Sequence, residues 1–87
     1  MPWYRLSFQP SVVDDLALIE APSAQRLFEK TKWITSNVDN LRHEPVASDL
    51  PELCKYAVGE WRIFYTLDRV DQLVHIHAIL HRSSLPL

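Results

Sequence analysis

The sequence predicts an α+β fold of two layers, in which a helical hairpin packs on an antiparallel-rich four-stranded sheet in the order β-α-α-β-β-β. Four short segments are rich in β-branched and aromatic residues, and two segments between the first and second of them repeat apolar residues at helical spacing. Turn and loop residues separate these segments. With 87 residues, 47% of them hydrophobic and 23% charged, residues 1–87 have the size and composition of one globular domain.

The first half of the chain predicts one strand followed by two helices. Residues Trp3 to Phe8 alternate with a period of two, which favours a strand with Tyr4, Leu6 and Phe8 buried. Pro10 suits the first turn of a helix that runs to about Glu20, with Val12, Val13, Leu16 and Ile19 at helical spacing. Ala21-Pro22 ends that helix. Ser23 is then expected to cap a second helix with the inner residues Ala24, Leu27, Phe28, Thr31, Ile34 and Val38.

The second half predicts a loop followed by an antiparallel meander. Asp39 to Pro51 is polar and shows no periodicity, which is typical of a long surface loop. Gly59-Glu60 and Asp68 to Gln72 are the expected turns. They separate three β-rich runs, Leu53 to Val58, Trp61 to Leu67 and Leu73 to Leu80.

The two-residue turn at Gly59-Glu60 predicts a register for its hairpin. Gly59, the only glycine of the chain, suits the positive φ that such turns require, and it sets Val58 opposite Trp61. One face then carries Cys54, Tyr56, Val58, Trp61, Ile63 and Tyr65, and should pack against the helices. The other carries Lys55, Ala57, Arg62 and Phe64. Lys55 and Arg62 become diagonal neighbours, about 7 to 8 Å apart, so they suit a phosphate group, although solubility alone can also explain exposed cations.

Charge and cysteine content restrict the possible functions. The net charge of −2 and the pI near 6.0 argue against bulk electrostatic binding of nucleic acid. Residues 1–54 hold five basic and eight acidic side chains, whereas residues 55–87 hold four and three, so the charge of the second half is positive. The single Cys54 excludes an internal disulfide and fits a reducing compartment. No segment resembles a secretion signal or a membrane span, so we expect a cytoplasmic protein without membrane contact.

Two other kinds of site receive weak support from the sequence. His75 and His77 share one side of the last predicted strand, but His81 lies about 13 Å further along it, so a third metal ligand is missing. Cys54 and His43 could form a thiol–imidazole pair, but the hairpin register buries Cys54, where a free cysteine acts as an apolar residue. We therefore expect no metal, no cofactor and no catalytic cysteine.

The residues Leu53 to Tyr65 read Leu-Cys-Lys-Tyr-Ala-Val-Gly-Glu-Trp-Arg-Ile-Phe-Tyr. This run resembles the core pattern Leu-x-Lys-x-Arg-Val-Gly-[Asp/Glu]-[aromatic]-Arg-Ile-x-Tyr of the RelE/ParE superfamily, the toxins of bacterial type II toxin–antitoxin pairs. The resemblance spans nearly the whole chain, and its other parts are Tyr4 to Phe8, Asp15-Leu16, Lys32-Trp33, Leu41 to Pro45, His77 and His81-Arg82.

The resemblance implies a RelE/ParE-like toxin domain that a cognate antitoxin holds inactive. RelE-like members are metal-independent endoribonucleases that enter the ribosomal A site and cleave mRNA, with the RNA 2′-hydroxyl as nucleophile, and thereby inhibit translation. The expected partners are therefore the antitoxin, the ribosome and mRNA. The toxin–antitoxin complex is expected to bind its own operator DNA through the antitoxin.

The same resemblance implies roles for five residues. Lys55 and Arg62 match the basic positions that hold the scissile phosphate, and Arg82 matches the basic residue after the last strand. His81 suits proton transfer to the leaving 5′-oxygen, because histidine is the side chain that ordinarily exchanges protons near neutral pH. Glu44 resembles the loop glutamate that some ribonuclease members use as general base.

Departures from the family pattern leave two alternatives open. Ala57 and Ala78 stand where relatives commonly carry Arg, and the tail Ser83 to Leu87 lacks a terminal Tyr. Fewer cations weaken phosphate binding and charge stabilisation. One alternative is therefore a ParE-like inhibitor of DNA gyrase without nuclease activity. The other is an attenuated toxin that acts only as an antitoxin-binding subunit of an autorepressor complex.

Overall fold

Two helices cover one face of a five-stranded mixed sheet in the computed structural model, which describes residues 3–84. The sheet order is β1-β5-β4-β3-β2, in which β1 runs parallel to β5 and the other neighbours are antiparallel. A 3₁₀ turn, Arg82–Ser84, follows the last strand. In chain order the elements are β1 (Arg5–Phe8), α1 (Pro10–Leu18), α2 (Ala21–Ser36), β2 (Glu44–Ala47), β3 (Leu50–Val58), β4 (Trp61–Asp68) and β5 (Leu73–His81).

The α+β class is confirmed, but the predicted count of four strands is wrong. The additional strand β2, Glu44–Ala47, lies inside the segment expected to be a loop and pairs with β3 at the edge of the sheet. It has four residues, and its register shifts between Pro45 and Ala47. A proline is tolerated at a sheet edge because a missing N–H need not interrupt a central ladder. Such a short, proline-containing strand carries no alternating pattern that the sequence could show.

The second helix begins at Ala21, two residues before the predicted cap at Ser23, so that expectation is wrong. Pro22 lies in the first turn, where the helix needs no N–H from it, and Glu20 takes the N-cap position without a side-chain hydrogen bond. The first helix ends at Leu18, close to the expected Glu20. Both helices direct an apolar stripe at the sheet, with Val12, Leu27, Thr31 and Ile34 buried.

The core lies between the helices and the inner sheet face. Its buried apolar residues are Val12, Leu27, Ile34, Val38, Cys54, Val58, Ile63, Tyr65, Val74, Ile76 and Ile79, and the predicted strand residues Tyr4, Leu6 and Phe8 pack against them. Tyr65 is fully buried, and its hydroxyl oxygen lies 2.6 Å from His43 Nδ1. His43 Nε2 lies 2.8 Å from the carbonyl oxygen of Val38, which accepts its proton. This chain of hydrogen bonds anchors the segment before β2 to the middle of the sheet.

The predicted hairpin register is confirmed. Val58 faces Trp61, Ala57 faces Arg62 and Lys55 faces Phe64. Gly59 has φ of +58°, the left-handed conformation expected of it. Gln72 has φ of +54° in the turn between β4 and β5, so a residue with a Cβ takes the same strained conformation there.

The last strand contains an irregularity that the sequence does not signal. Phe64 pairs with Ala78, but the next residue, Tyr65, pairs with Ile76, so His77 is the extra residue of a β-bulge. Because of the bulge, the buried positions Ile76 and Ile79 are three residues apart instead of two. Among residues 3–84, no helix is long and apolar enough to cross a membrane.

Candidate functional site

The sheet face turned away from the helices, called the open face here, carries the predicted cations. Strand pairing sets Lys55, Phe64 and Ala78 side by side in one row, and Ala57, Arg62 and Leu80 in the next row. The buried neighbours of these residues point to the helices, so the rows themselves face outwards. The open face therefore brings two cations and an aromatic ring together over two adjacent strands.

Lys55 and Glu44 are cross-strand partners on the open face. Glu44 pairs with Lys55 in the ladder between β2 and β3, and Lys55 Nζ lies 3.7 Å from Glu44 Oε1. The side chains are 39% and 69% exposed, and an exposed ion pair of this kind contributes only about 0 to 1 kcal/mol to stability. A phosphate group can therefore displace the carboxylate from the ammonium group at little cost.

Arg62 folds back over the hairpin turn. Its Nη1 atom donates to the carbonyl oxygens of Gly59 and Trp61, both at 2.9 Å. A guanidinium group has five N–H donors, so Nε and Nη2 have three donors without an acceptor among residues 3–84. The turn thus fixes the position of the guanidinium group and leaves donors for an anion.

His81 and Arg82 lie at the end of β5, beside the same turn. His81 pairs with Trp61, whose side of the sheet is the helix side, and the two rings meet edge to face at 5.0 Å between centroids. His81 Nδ1 accepts from the Ser83 N–H, which leaves the proton on Nε2, 3.2 Å from Glu60 Oε2. The structure therefore does not bring the His81 imidazole together with Lys55 and Arg62 on one face. Arg82 has an exposed side chain, and its backbone N–H donates to the Glu60 carbonyl oxygen at 2.7 Å.

A second polar group on the open face consists of Ser7, Gln9, Thr66, His75 and His77, and is called the imidazole cluster here. His75 Nδ1 lies 2.9 Å from Ser7 Oγ and its Nε2 lies 3.2 Å from Gln9 Oε1. His77 Nε2 lies 2.9 Å from Thr66 Oγ1, and the two imidazole rings meet edge to face with centroids 4.6 Å apart. Partial burial, and after it the neighbouring His75, lower the pKa of His77 below its usual range.

Only the two histidines of this cluster can be predicted from the sequence, because their spacing of two residues places them on one side of a strand. Ser7 and Gln9, however, reach His75 only because β1 pairs in parallel with β5, which joins residues 68 and 66 positions apart. The hydrophobic pattern alone does not specify which strand becomes the neighbour of β5.

Residues 3–84 contain no group of three or more His, Cys, Asp or Glu side chains that could hold a metal ion. Cys54 is buried, and burial raises the pKa of its thiol. The thiol therefore remains protonated, and a protonated thiol is a poor nucleophile.

Two tryptophans, Trp3 and Trp33, have exposed side chains. Trp33 is 42% exposed and lies 5.9 Å from the Tyr56 ring, with Lys30 Nζ 4.7 Å above the Trp33 ring. Trp3 is 74% exposed. Trp33 thus combines local packing with an exposed edge that a partner protein could cover.

Solved structures with the same fold are toxins of toxin–antitoxin pairs. The chain superposes with a TM-score of 0.80 on a chain of the toxin–antitoxin complex RelBE2 from Mycobacterium tuberculosis, at 19% identity and 97% coverage of both chains. The TM-score is 0.75 for the archaeal RelE–RelB complex from Pyrococcus horikoshii OT3, at 18% identity with 95% of this chain and 99% of that chain covered. For the isolated E. coli RelE toxin it is 0.69, at 13% identity with 90% and 83% covered. These similarities establish a RelE-like fold.

The sequence itself is more specific about the class of protein. Residues 6–86 match the family model described as the ParE toxin of the type II toxin–antitoxin system parDE. The chain belongs to this family of toxins, within the RelE/ParE group that its sequence resembles. A search of curated proteins gives no match. The family pattern's terminal Tyr, which this sequence lacks, concerns residues 85–87. These residues lie outside the described part of the chain, as do Met1 and Pro2.

Proposed function

We propose that this toxin is a ribosome-dependent mRNA endoribonuclease that inhibits translation. The observation that carries the proposal is the pair of cations, Lys55 and Arg62, held beside Phe64 on a sheet face that the helices leave open. Cations stabilise the charge that develops on a phosphate under attack, and an aromatic ring offers a stacking surface to a base. Structural similarity to RelE toxins supports the same activity.

In this proposal the RNA 2′-hydroxyl attacks the adjacent phosphate, and no metal ion takes part. Lys55 leaves Glu44 to bind one phosphate oxygen, while Arg62 uses its remaining donors on another. Arg82 adds a third positive charge beside the hairpin turn. Glu44, displaced from Lys55, and His81 are the proton-transfer groups that the family resemblance suggests; both assignments stay predictions.

We further propose that a cognate antitoxin covers the open face and thereby holds the toxin inactive in the cytoplasm. Two of the structurally similar proteins were solved as toxin–antitoxin complexes, which supports such a partner. An acidic segment would neutralise Lys55, Arg62 and Arg82. Binding of the complex to operator DNA through the antitoxin extends this proposal, because the toxin itself has a net charge of −2.

A purified translation system tests the nuclease proposal. Wild-type protein should cut mRNA at the ribosomal A site and should leave free mRNA intact when ribosomes are omitted. The Arg62→Ala variant should cut about 100-fold more slowly, since one charge-stabilising group is lost. The proposal fails if folded wild-type protein leaves mRNA on ribosomes intact.

A second candidate function is inhibition of DNA gyrase without any nuclease activity. Two observations favour it: the matching family is that of the ParE toxins, and His81 lies on the helix side of the sheet, away from Arg62. A supercoiling assay with purified gyrase separates the candidates. Inhibition by a protein that leaves mRNA intact would select the gyrase reading, and inactivity in both assays would select the attenuated antitoxin-binding subunit.

A further inference from the structure

The open face contains imidazole groups that none of the expected roles uses. Cleavage by a 2′-hydroxyl needs a group that accepts the proton of the nucleophile and a group that protonates the leaving oxygen. His81 points to the helix side and is engaged by Glu60 and Ser83. The imidazole cluster, in contrast, lies on the same face as Lys55 and Arg62.

We propose that His77, in place of Glu44, is the general base and that His75, in place of His81, is the general acid of RNA cleavage on the open face, an inference that rests on the proposed nuclease function. The bulge in β5 inserts His77 beside Ala78, in the row that continues through Phe64 to Lys55. Strands in a sheet are about 4.8 Å apart, so Lys55 and His77 flank Phe64 across about 10 Å. A phosphate above Phe64 lies within reach of both side chains.

The hydrogen bonds of His77 suit a base. The ring is exposed, and Thr66 Oγ1 can accept the Nε2–H at 2.9 Å. The lone pair is then on Nδ1, which has no hydrogen-bond partner among residues 3–84. Partial burial and the adjacent His75 both lower the pKa of His77, so this imidazole is neutral and able to accept a proton near pH 7.

The hydrogen bonds of His75 suit an acid. Gln9 Oε1 is an acceptor, so His75 Nε2 carries a proton. Ser7 Oγ can either donate to Nδ1 or accept from it, because a hydroxyl group does both. The neutral and the doubly protonated imidazole are therefore both fully hydrogen-bonded. The two partners of His75, Ser7 and Gln9, are neutral groups. The leaving alkoxide is more basic than either of them, so it can take their place as the acceptor of a proton from His75.

The proposed step is balanced in atoms and protons. The 2′-hydroxyl gives its proton to His77 Nδ1 while the bond from the 2′-oxygen to phosphorus forms. The bond from phosphorus to the 5′-oxygen breaks, and this oxygen takes a proton from doubly protonated His75. The products are a 2′,3′-cyclic phosphate and a 5′-hydroxyl. Transfer of a proton from His77 to His75, whose ring centroids are 4.6 Å apart, restores the starting state.

A sulfur substitution in the substrate distinguishes the two roles. The His77→Gln and His75→Gln variants are compared with wild type in the purified translation system, on mRNA with either oxygen or sulfur at the 5′ position of the cleaved bond. On the oxygen substrate both variants should be at least about 100-fold slower than wild type. On the sulfur substrate, whose thiolate leaves without a proton, His75→Gln should return to within about threefold of wild type and His77→Gln should stay slow.

Controls separate the possible failures. Lys32→Gln changes an exposed residue on the helical layer and should cut like wild type, and thermal unfolding checks that each variant is folded. Variants at both histidines that cut at the wild-type rate would overturn the acid–base assignment but leave the nuclease function intact. The acid–base assignment would also be overturned if both variants were slow on the oxygen substrate and either both or neither of them recovered on the sulfur substrate. Wild-type protein that cuts neither substrate overturns the nuclease proposal itself.

Discussion

The Tyr65→Phe substitution should destabilise the fold, although the phenylalanine ring is apolar and fills nearly the same space as the tyrosine ring. Tyr65 is fully buried, and burial raises the pKa of its hydroxyl far above the usual range, so the group is a proton donor at every ordinary pH. It lies 2.6 Å from His43 Nδ1, while His43 Nε2 donates to the Val38 carbonyl oxygen. The Tyr65→Phe variant therefore leaves Nδ1 of the half-buried His43 without a hydrogen-bond donor.

The cost follows from the desolvation of that nitrogen. A buried acceptor that loses its partner costs about 1 to 3 kcal/mol, so we expect a loss near 2 kcal/mol. For a domain of this size each kcal/mol lowers the unfolding midpoint by roughly 4 to 8 °C, which gives a decrease of about 8 to 16 °C. This is a large share of a total stability of about 4 to 13 kcal/mol.

Thermal and urea unfolding followed by circular dichroism measure the effect. Tyr56→Phe is the matched control, because Tyr56 lies on the same face of the sheet, on the neighbouring strand β3, but its hydroxyl has no hydrogen-bond partner among residues 3–84. This variant should cost less than about 0.5 kcal/mol. In a His43→Ala background the cost of Tyr65→Phe should shrink, because the two groups are coupled. A Tyr65→Phe variant as stable as the Tyr56→Phe control would show that the hydrogen bond between Tyr65 and His43 contributes nothing to stability.

Three further predictions concern single positions. Gly59→Ala should lose about 1 kcal/mol of stability and Gln72→Gly should gain up to about 1 kcal/mol, because both positions have positive φ; equal effects of the two in urea unfolding would contradict this. Cys54 should react with iodoacetamide at neutral pH much more slowly in the folded protein than in urea, since the side chain is buried and burial raises the pKa of its thiol; rapid labelling of folded protein would contradict it. Glu44→Gln should change the unfolding free energy by less than about 1 kcal/mol, because its ion pair with Lys55 is exposed; a larger loss would show that the pair is structural.

The parts of the fold that the sequence predicted are those governed by local chemistry. A two-residue turn with Gly59 at positive φ determines the register of the whole β3–β4 hairpin, and the register places Lys55 and Arg62 on one face. The apolar spacing of both helices likewise indicates the side that faces the sheet, but Phe28, an expected inner residue, is 38% exposed and Val13 is 55% exposed. In each of these elements the deciding residues are neighbours in sequence or lie across one tight turn.

The parts that the sequence did not predict depend on contacts between distant segments. Strand β2 is too short to show a period, and it exists because β3 offers an unpaired edge. The bulge at His77 arises from the register between β4 and β5, and it shifts the buried positions of β5 from Leu80 to Ile79. The same register turns His81 to the helix side. The sequence of β5 alone therefore cannot show that His81 and Arg62 lie on opposite sides of the sheet.

Cleavage of mRNA on the ribosome by the open face can be measured in cells. The measurement is a map of mRNA 5′ ends after induction of wild-type protein, beside the Lys55→Ala and Arg62→Ala variants. We expect the wild type to produce new 5′ ends inside coding regions, spaced in register with codons, and both variants to lose them. A wild type that arrests growth without producing new 5′ ends, or variants that produce the same ends, would contradict this expectation.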